Sequence, residues 1–192
     1  MKYLHSITLT IATVALQLST GVLTADAGPN KHSHEKAYEM EADAREALTK
    51  LYSSTSSAKV LGEKAKGILV FPSITKGGFV VGGQYGKGVL FKEGRVAGYY
   101  NIAAGSFGLQ AGVQKFSYAM FFMSDKDLSY LDASEGWEVG VGPNITIWDQ
   151  GMANSLSSTT LREGVYAFFF GQKGLMAGLG IQGSKITRIK PD

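Results

Sequence analysis

Glu135 and Glu138 flank Trp137, and two carboxylates beside an aromatic ring are what a glycosidase uses to protonate a leaving group and attack a sugar. Asp125, Asp127 and Asp132 crowd the preceding stretch and resemble ligands for a hard cation. Lys59, Lys64, Lys66, Lys76, Lys185 and Arg188 offer a third chemistry, attraction of anionic lipid headgroups. Spacing supports the first two poorly. Acids three apart on a strand edge are common without catalysis. The aspartates lack the glycine-containing loop of a calcium site, and Asp127 has a capping role in Ser124-Asp125-Lys126-Asp127.

All three histidines lie within the first 34 residues and the chain has no cysteine. Residues 35–192 therefore hold no residue for a Ser-His-Asp triad, a Cys nucleophile or a zinc site. The glycines of Gly82-Gly83-Gln84-Tyr85-Gly86-Lys87-Gly88 miss the spacing of a phosphate-binding loop, and a structural role is the expectation. No catalytic residue, metal ligand or cofactor is assigned. The expectation is a protein that binds, with a hydrolase using Glu135 and Glu138 as the third reading.

The elements that would position these residues follow from periodicity. Lys2, the apolar run Ile7–Leu18 and Ala25-Asp26-Ala27 have the form of a signal peptide over 1–27, too short in its apolar part to span a bilayer. This predicts a periplasmic or secreted protein, held peripherally at the envelope if it binds lipid. Residues 28–34 read as a flexible lead in which His32 and His34 bind nothing specific. A single domain is expected over 35–192, helical at 35–66 and β-rich at 67–192. Ala37, Met40, Ala44, Ala47, Leu48 and Leu51 predict a helix over 35–52. Ser57 is expected to cap a second over 58–66, closed by Gly67.

Beyond Gly67 the period falls to two. Strands are predicted at 68–71, ended by Pro72, and at 79–91, 96–102, 107–123, 137–148, 165–170 and 175–189, with a turn at Lys92-Glu93-Gly94-Arg95. A short helix starts at Ser124, and a polar loop covers 150–164. Several strands alternate apolar residues with glycine and uncharged polar ones, as in Val139, Val141, Ile145 and Ile147 against Gly140, Gly142, Asn144 and Thr146. The apolar set faces the core, and the glycine face suits tight curvature or close approach. Phe116–Met123 and Val165–Phe170 are apolar on both faces and should be covered strands. The fold class is α+β: a strongly bent antiparallel sheet or small barrel, with N-terminal helices packed on it and one short inserted helix.

Five segments carry a family resemblance: 65–72 (AKGILVFP), 106–112 (SFGLQAG), 117–123 (SYAMFFM), 136–143 (GWEVGVGP) and 166–178 (YAFFFGQKGLMAG). Through them the chain resembles the SYLF domain family from about Leu48 to Ile189. The resemblance implies an exported lipid-binding protein without common catalytic residues. It implies lipid contact through the N-terminal amphipathic helix and neighbouring basic residues, here the 35–66 segment with Lys59, Lys64 and Lys66. The 35–52 helix carries Glu35, Glu39, Glu41, Asp43 and Glu46 against Lys36, Arg45 and Lys50, which argues against tight anionic-lipid binding by that helix. The formal charge of +3 is no nucleic-acid-binding excess, so membrane lipid is the expected partner. A small outer-membrane barrel is the alternative that length, leader and alternating strands allow.

Overall fold

The computed structural model describes residues 29–133, 135–148, 164–173 and 183–191. The expected leader at 1–27, the loop residues 150–163 and the strand residues 175–182 lie outside them. Helix α1 spans Pro29–Ser54, so the expected flexible lead at 28–34 is corrected at its first described residues. Proline suits a first helical turn, where no N–H partner is needed and φ is already set. The early turns face solvent: His32, His34 and Glu35 are exposed and Tyr38 is 74% exposed. Burial begins with Ala44, Ala47 and Leu51, the stripe the spacing predicts.

Helix α2 covers Ser56–Lys64 and is capped by Thr55, whose backbone is extended, not by Ser57. The reason lies in α1, which continues until the Thr55 amide donates to Leu51 O at 2.9 Å. Only one residue remains to turn the chain, and Ser57 is carried inside the helix and buried. Helix α2 stops short of the expected Lys66, because the Lys66 amide leaves it to donate to Phe122 O at 2.8 Å and begin the sheet.

Strands β1 (Gly67–Lys92) and β2 (Arg95–Phe122) form one long antiparallel hairpin, paired from Gly67↔Phe122 to Lys92↔Arg95. Its turn is the expected one, with Glu93 and Gly94 both at positive φ (50° and 74°), as a two-residue hairpin requires. The expected break at Pro72 does not occur. A register shift between Phe71 and Ile74 leaves Pro72 in a bulge where its missing N–H costs no ladder bond, and Ser117 Oγ donates to Pro72 O at 2.8 Å.

The remaining strands are β3 (Trp137–Glu138), β4 (Ile145–Trp148), β5 (Val165–Lys173) and β6 (Lys185–Ile189), in the order β3-β6-β2-β5-β4 with β1 on the other edge of β2. The predicted strand 137–148 is divided. Gly140 and Gly142 take φ of 108° and 99°, which no strand continues through, and Tyr130 occupies the space a Gly142 Cβ would need. The pairing is antiparallel except for β4 with β5, which is parallel. That exception to the expected antiparallel sheet is permitted because 149–164 supplies the length a crossover requires.

The sheet is strongly curled into a half-barrel. Its bend brings the two ends of β1 together: a Cβ on Gly88 would lie 2.5 Å from Phe71 Cδ1 and 2.7 Å from Val70 O. The structural role expected of the glycines at 82–88 is realised here. Alternation then sorts two cores. Leu69, Phe71, Tyr118, Met120, Phe122 and Trp137 fill the inside of the curl. Val70, Ala119, Phe121, Tyr166 and Phe168 pack outward against Ala44, Ala47, Leu51, Ala58 and Leu61 of the helices. Both faces of 118–122 and 165–168 are thus covered, as their unbroken apolar runs predict.

Candidate functional site

Burial of Ser57, Ala58 and Leu61 turns the opposite side of α2 to solvent. That side carries Lys59, Val60, Glu63 and Lys64, with Val60 40% exposed between the two lysines. Lys64 lies in the last turn, where a cation complements the helix dipole. Lys66 follows at once, exposed and anchored through its backbone to β2. Among the described residues none of the three lysines forms an ion pair. Nine residues of helix and the two that follow therefore present three uncommitted cations around one exposed apolar side chain.

The other expected cations are not gathered there. Lys76 is partly buried on β1 opposite Gln114. Lys185 and Arg188 share β6 but differ by three positions, so their side chains leave opposite faces of the strand. Arg188 is also committed: its guanidinium donates to Ala97 O at 3.1 Å and lies 3.6 Å from the Asp132 carboxylate. That pair is largely exposed and worth under about 1 kcal/mol, but it ties β6 to the turn after the short helix. Lys185 stands opposite Glu138 across β3 and β6, which weakens its pull on an anion.

The acidic clusters take up structural work. Ser124 caps α3 (Asp125–Leu128) and accepts from the Asp127 amide at 3.2 Å, the predicted capping geometry. Asp127 is buried, and its Oδ2 accepts from Ser124 Oγ and from the Gly164 amide at 3.0 Å, clamping α3 to the start of β5. Among the described residues no three acids or histidines gather as metal ligands. Glu135 and Glu138 are exposed, but Trp137 between them is a core residue. Its Nε1 donates to Val141 O at 2.7 Å and its ring meets Phe122 edge-on at 5.9 Å, so no aromatic platform lies between the carboxylates.

Burial, and then the Glu41 carboxylate, raises Tyr99, and three further phenols are perturbed by their surroundings. Burial raises Tyr118 and Tyr100, and Tyr52 is pushed up to about 12 by burial and then by the Glu63 carboxylate. The Tyr100 and Tyr118 hydroxyls have no hydrogen-bond partner inside the curl. All three are protonated at neutral pH, which suits packing rather than proton transfer.

One feature escapes a reading of motifs: a groove of about 680 Å³ between α1 and the bulged part of the sheet, with Asp43 and Lys115 among its lining. Its only trace in the sequence is a proline and a lysine that interrupt two strand patterns, Pro72 and Lys115. No described helix is long and apolar enough to cross a membrane. At 118–122 and 165–168 the face that a membrane barrel would turn to lipid lies under α1 and α2. No known protein-family model matches the chain, and no curated protein is significantly similar to it.

Proposed function

We propose that this chain is an exported, non-enzymatic lipid-binding protein of the SYLF type that meets anionic membrane through α2 and the basic residues around it. The observation that carries the reading is the exposed side of α2, where Lys59 and Lys64 stand with Val60 and Glu63, and Lys66 is exposed just past the helix end, none of the three lysines in an ion pair among the described residues. Each lysine near an anionic surface contributes about 1 kcal/mol, and one apolar side chain adds a shallow anchor. Binding is therefore weak, electrostatic and reversible. Helix α1 is net acidic and turns the protein so that α2 leads. Lys76, Lys185 and Arg188 add to the long-range field but not to the contact.

Co-sedimentation with vesicles tests this directly. The chain from residue 28 onward is expected to pellet with phosphatidylglycerol vesicles at low salt and to be released as salt shortens the screening length. Absence of pelleting with anionic and zwitterionic vesicles alike, at low salt, contradicts it.

A further inference from the structure

The groove beside α1 is built where the sheet is irregular. Strand β1 shifts register between Phe71 and Ile74, the β2–β5 pairing shifts between Lys115 and Ser117, and Gly171 takes φ of +62°. All three irregularities line the same groove. Bulges interrupt the ladder and re-aim side chains, and they concentrate beside binding sites. A volume of about 680 Å³ is that of a small-ligand site.

The charges on its walls are specific. Glu46 and Lys50 of α1 pair with each other and cancel. Asp43 on the helix side and Lys115 on the sheet side form no ion pair or side-chain hydrogen bond among the described residues. The groove thus offers one uncompensated charge of each sign over an apolar lining of Ala47, Pro72, Phe116 and Phe170. A simple anion would meet Asp43, and a simple cation would meet Lys115. A molecule carrying both charges on an apolar body satisfies both walls.

The cationic end can be specified further. Ser53 and Ser117 spend their hydroxyl protons on the carbonyls of Lys50 and Pro72, so their oxygens remain as acceptors, while Ser54 Oγ is shared between Leu51 O and Thr55 Oγ1. Acceptors and a carboxylate suit a primary ammonium, which has three N–H donors. A quaternary ammonium donates nothing to a carboxylate or hydroxyl oxygen and is best held by several open aromatic faces, whereas of the two rings here Phe116 is 5% exposed and only Phe170 is partly open.

We infer that this groove takes the phosphoethanolamine headgroup of a phospholipid, with the phosphate toward Lys115 and the ammonium toward Asp43. The inference rests on the lipid-binding reading above and adds a headgroup-selective site to the unselective charge of α2.

The test uses vesicles of phosphatidylcholine, alone or with part of it replaced by phosphatidylethanolamine or by phosphatidylglycerol. The protein is expected to bind about tenfold better when ethanolamine lipid is present, the value of one charge-assisted headgroup contact. Lys115→Glu and Asp43→Lys, both at exposed positions, are expected to lose that increment. The triple variant Lys59→Glu/Lys64→Glu/Lys66→Glu is expected to keep it while losing the response to phosphatidylglycerol. Ethanolamine lipid also loosens bilayer packing, and an increment retained in full by both groove variants would assign it to packing and overturn the inference. Equal binding to choline and ethanolamine vesicles would overturn it too, leaving the α2 reading intact. Failure to bind any vesicle would remove both.

Discussion

Inside the curl of the sheet, Tyr118, Met120 and Phe122 meet Leu69, Phe71 and Trp137, where the sheet bends onto itself at Gly88. On the other side of the same strands, Ala119, Phe121 and Phe168 lie beneath two helices whose contacts include three alanines, Ala44, Ala47 and Ala58, beside Leu51 and Leu61. The first core needs glycine, because backbone approaches backbone. The second needs alanine, because helices approach a sheet. The inner core has no outward surface, so its residues act on stability alone. The helical layer has a second side, and Lys59 and Lys64 are there. Stability and surface chemistry should therefore separate under mutation.

The largest effect is expected at Gly88, where a β-carbon meets both Phe71 and the Val70 carbonyl. Gly88→Val should cost about 4 kcal/mol or more in urea unfolding. Gly105→Ala, with nothing within 4 Å of the added carbon, should stay within about 0.5 kcal/mol. Comparable losses at both positions would mean that the curl is not closed by glycine.

Leu61→Ala, in the fully buried contact of α2 with the sheet, should cost about 2–4 kcal/mol. It should also weaken vesicle binding, since it loosens the helix that carries the lysines, whereas a conservative inner-core change such as Met120→Leu should leave binding alone.

A smaller effect is expected from pH. The Tyr52 phenol has its folded pKa raised from 10.0 to about 12, and burial raises Tyr100 and Tyr118 as well. The folded state thus holds these protons more tightly than the unfolded chain. Their contribution is complete below pH 10 and is lost as pH rises toward 12 and beyond. Thermal melts followed together with tyrosinate absorbance should show stability falling only above pH 10, with phenols in the folded protein ionising late. Ionisation of every tyrosine near pH 10 without unfolding would contradict the burial.

Much of this architecture can be read from local chemistry. Glu93-Gly94 announces its turn, Ser124 and Asp127 announce their cap, and the unbroken apolar runs at 116–123 and 165–170 announce covered strands. Other features depend on partners distant in the chain. Pro72 reads as a strand end, yet β2 pairs past it through a bulge and Ser117 holds its carbonyl. Val139 and Val141 read as a strand, yet positive φ at Gly140 and Gly142 makes a loop around Tyr130. The candidate site divides in the same way. Lys59, Lys64 and Lys66 lie within eight consecutive residues, and helix periodicity exposes the first two while the third follows just past the helix end. The commitment of Arg188 to Asp132, the isolation of Lys76, and the groove between Asp43 and Lys115 arise from pairing and bulges that no local pattern encodes.

The measurement closest to the central claim compares the protein with its Lys59→Glu/Lys64→Glu/Lys66→Glu variant in co-sedimentation with anionic vesicles, alongside a thermal melt of each. Because all three side chains are exposed and unpaired among the described residues, and only Lys64 complements a helix dipole, the melts should agree within about 1 kcal/mol. Affinity for the vesicles should fall about 100-fold or more, the value of three lysines near a charged surface. Equal pelleting of the two proteins, or none by either, would contradict a membrane contact through α2.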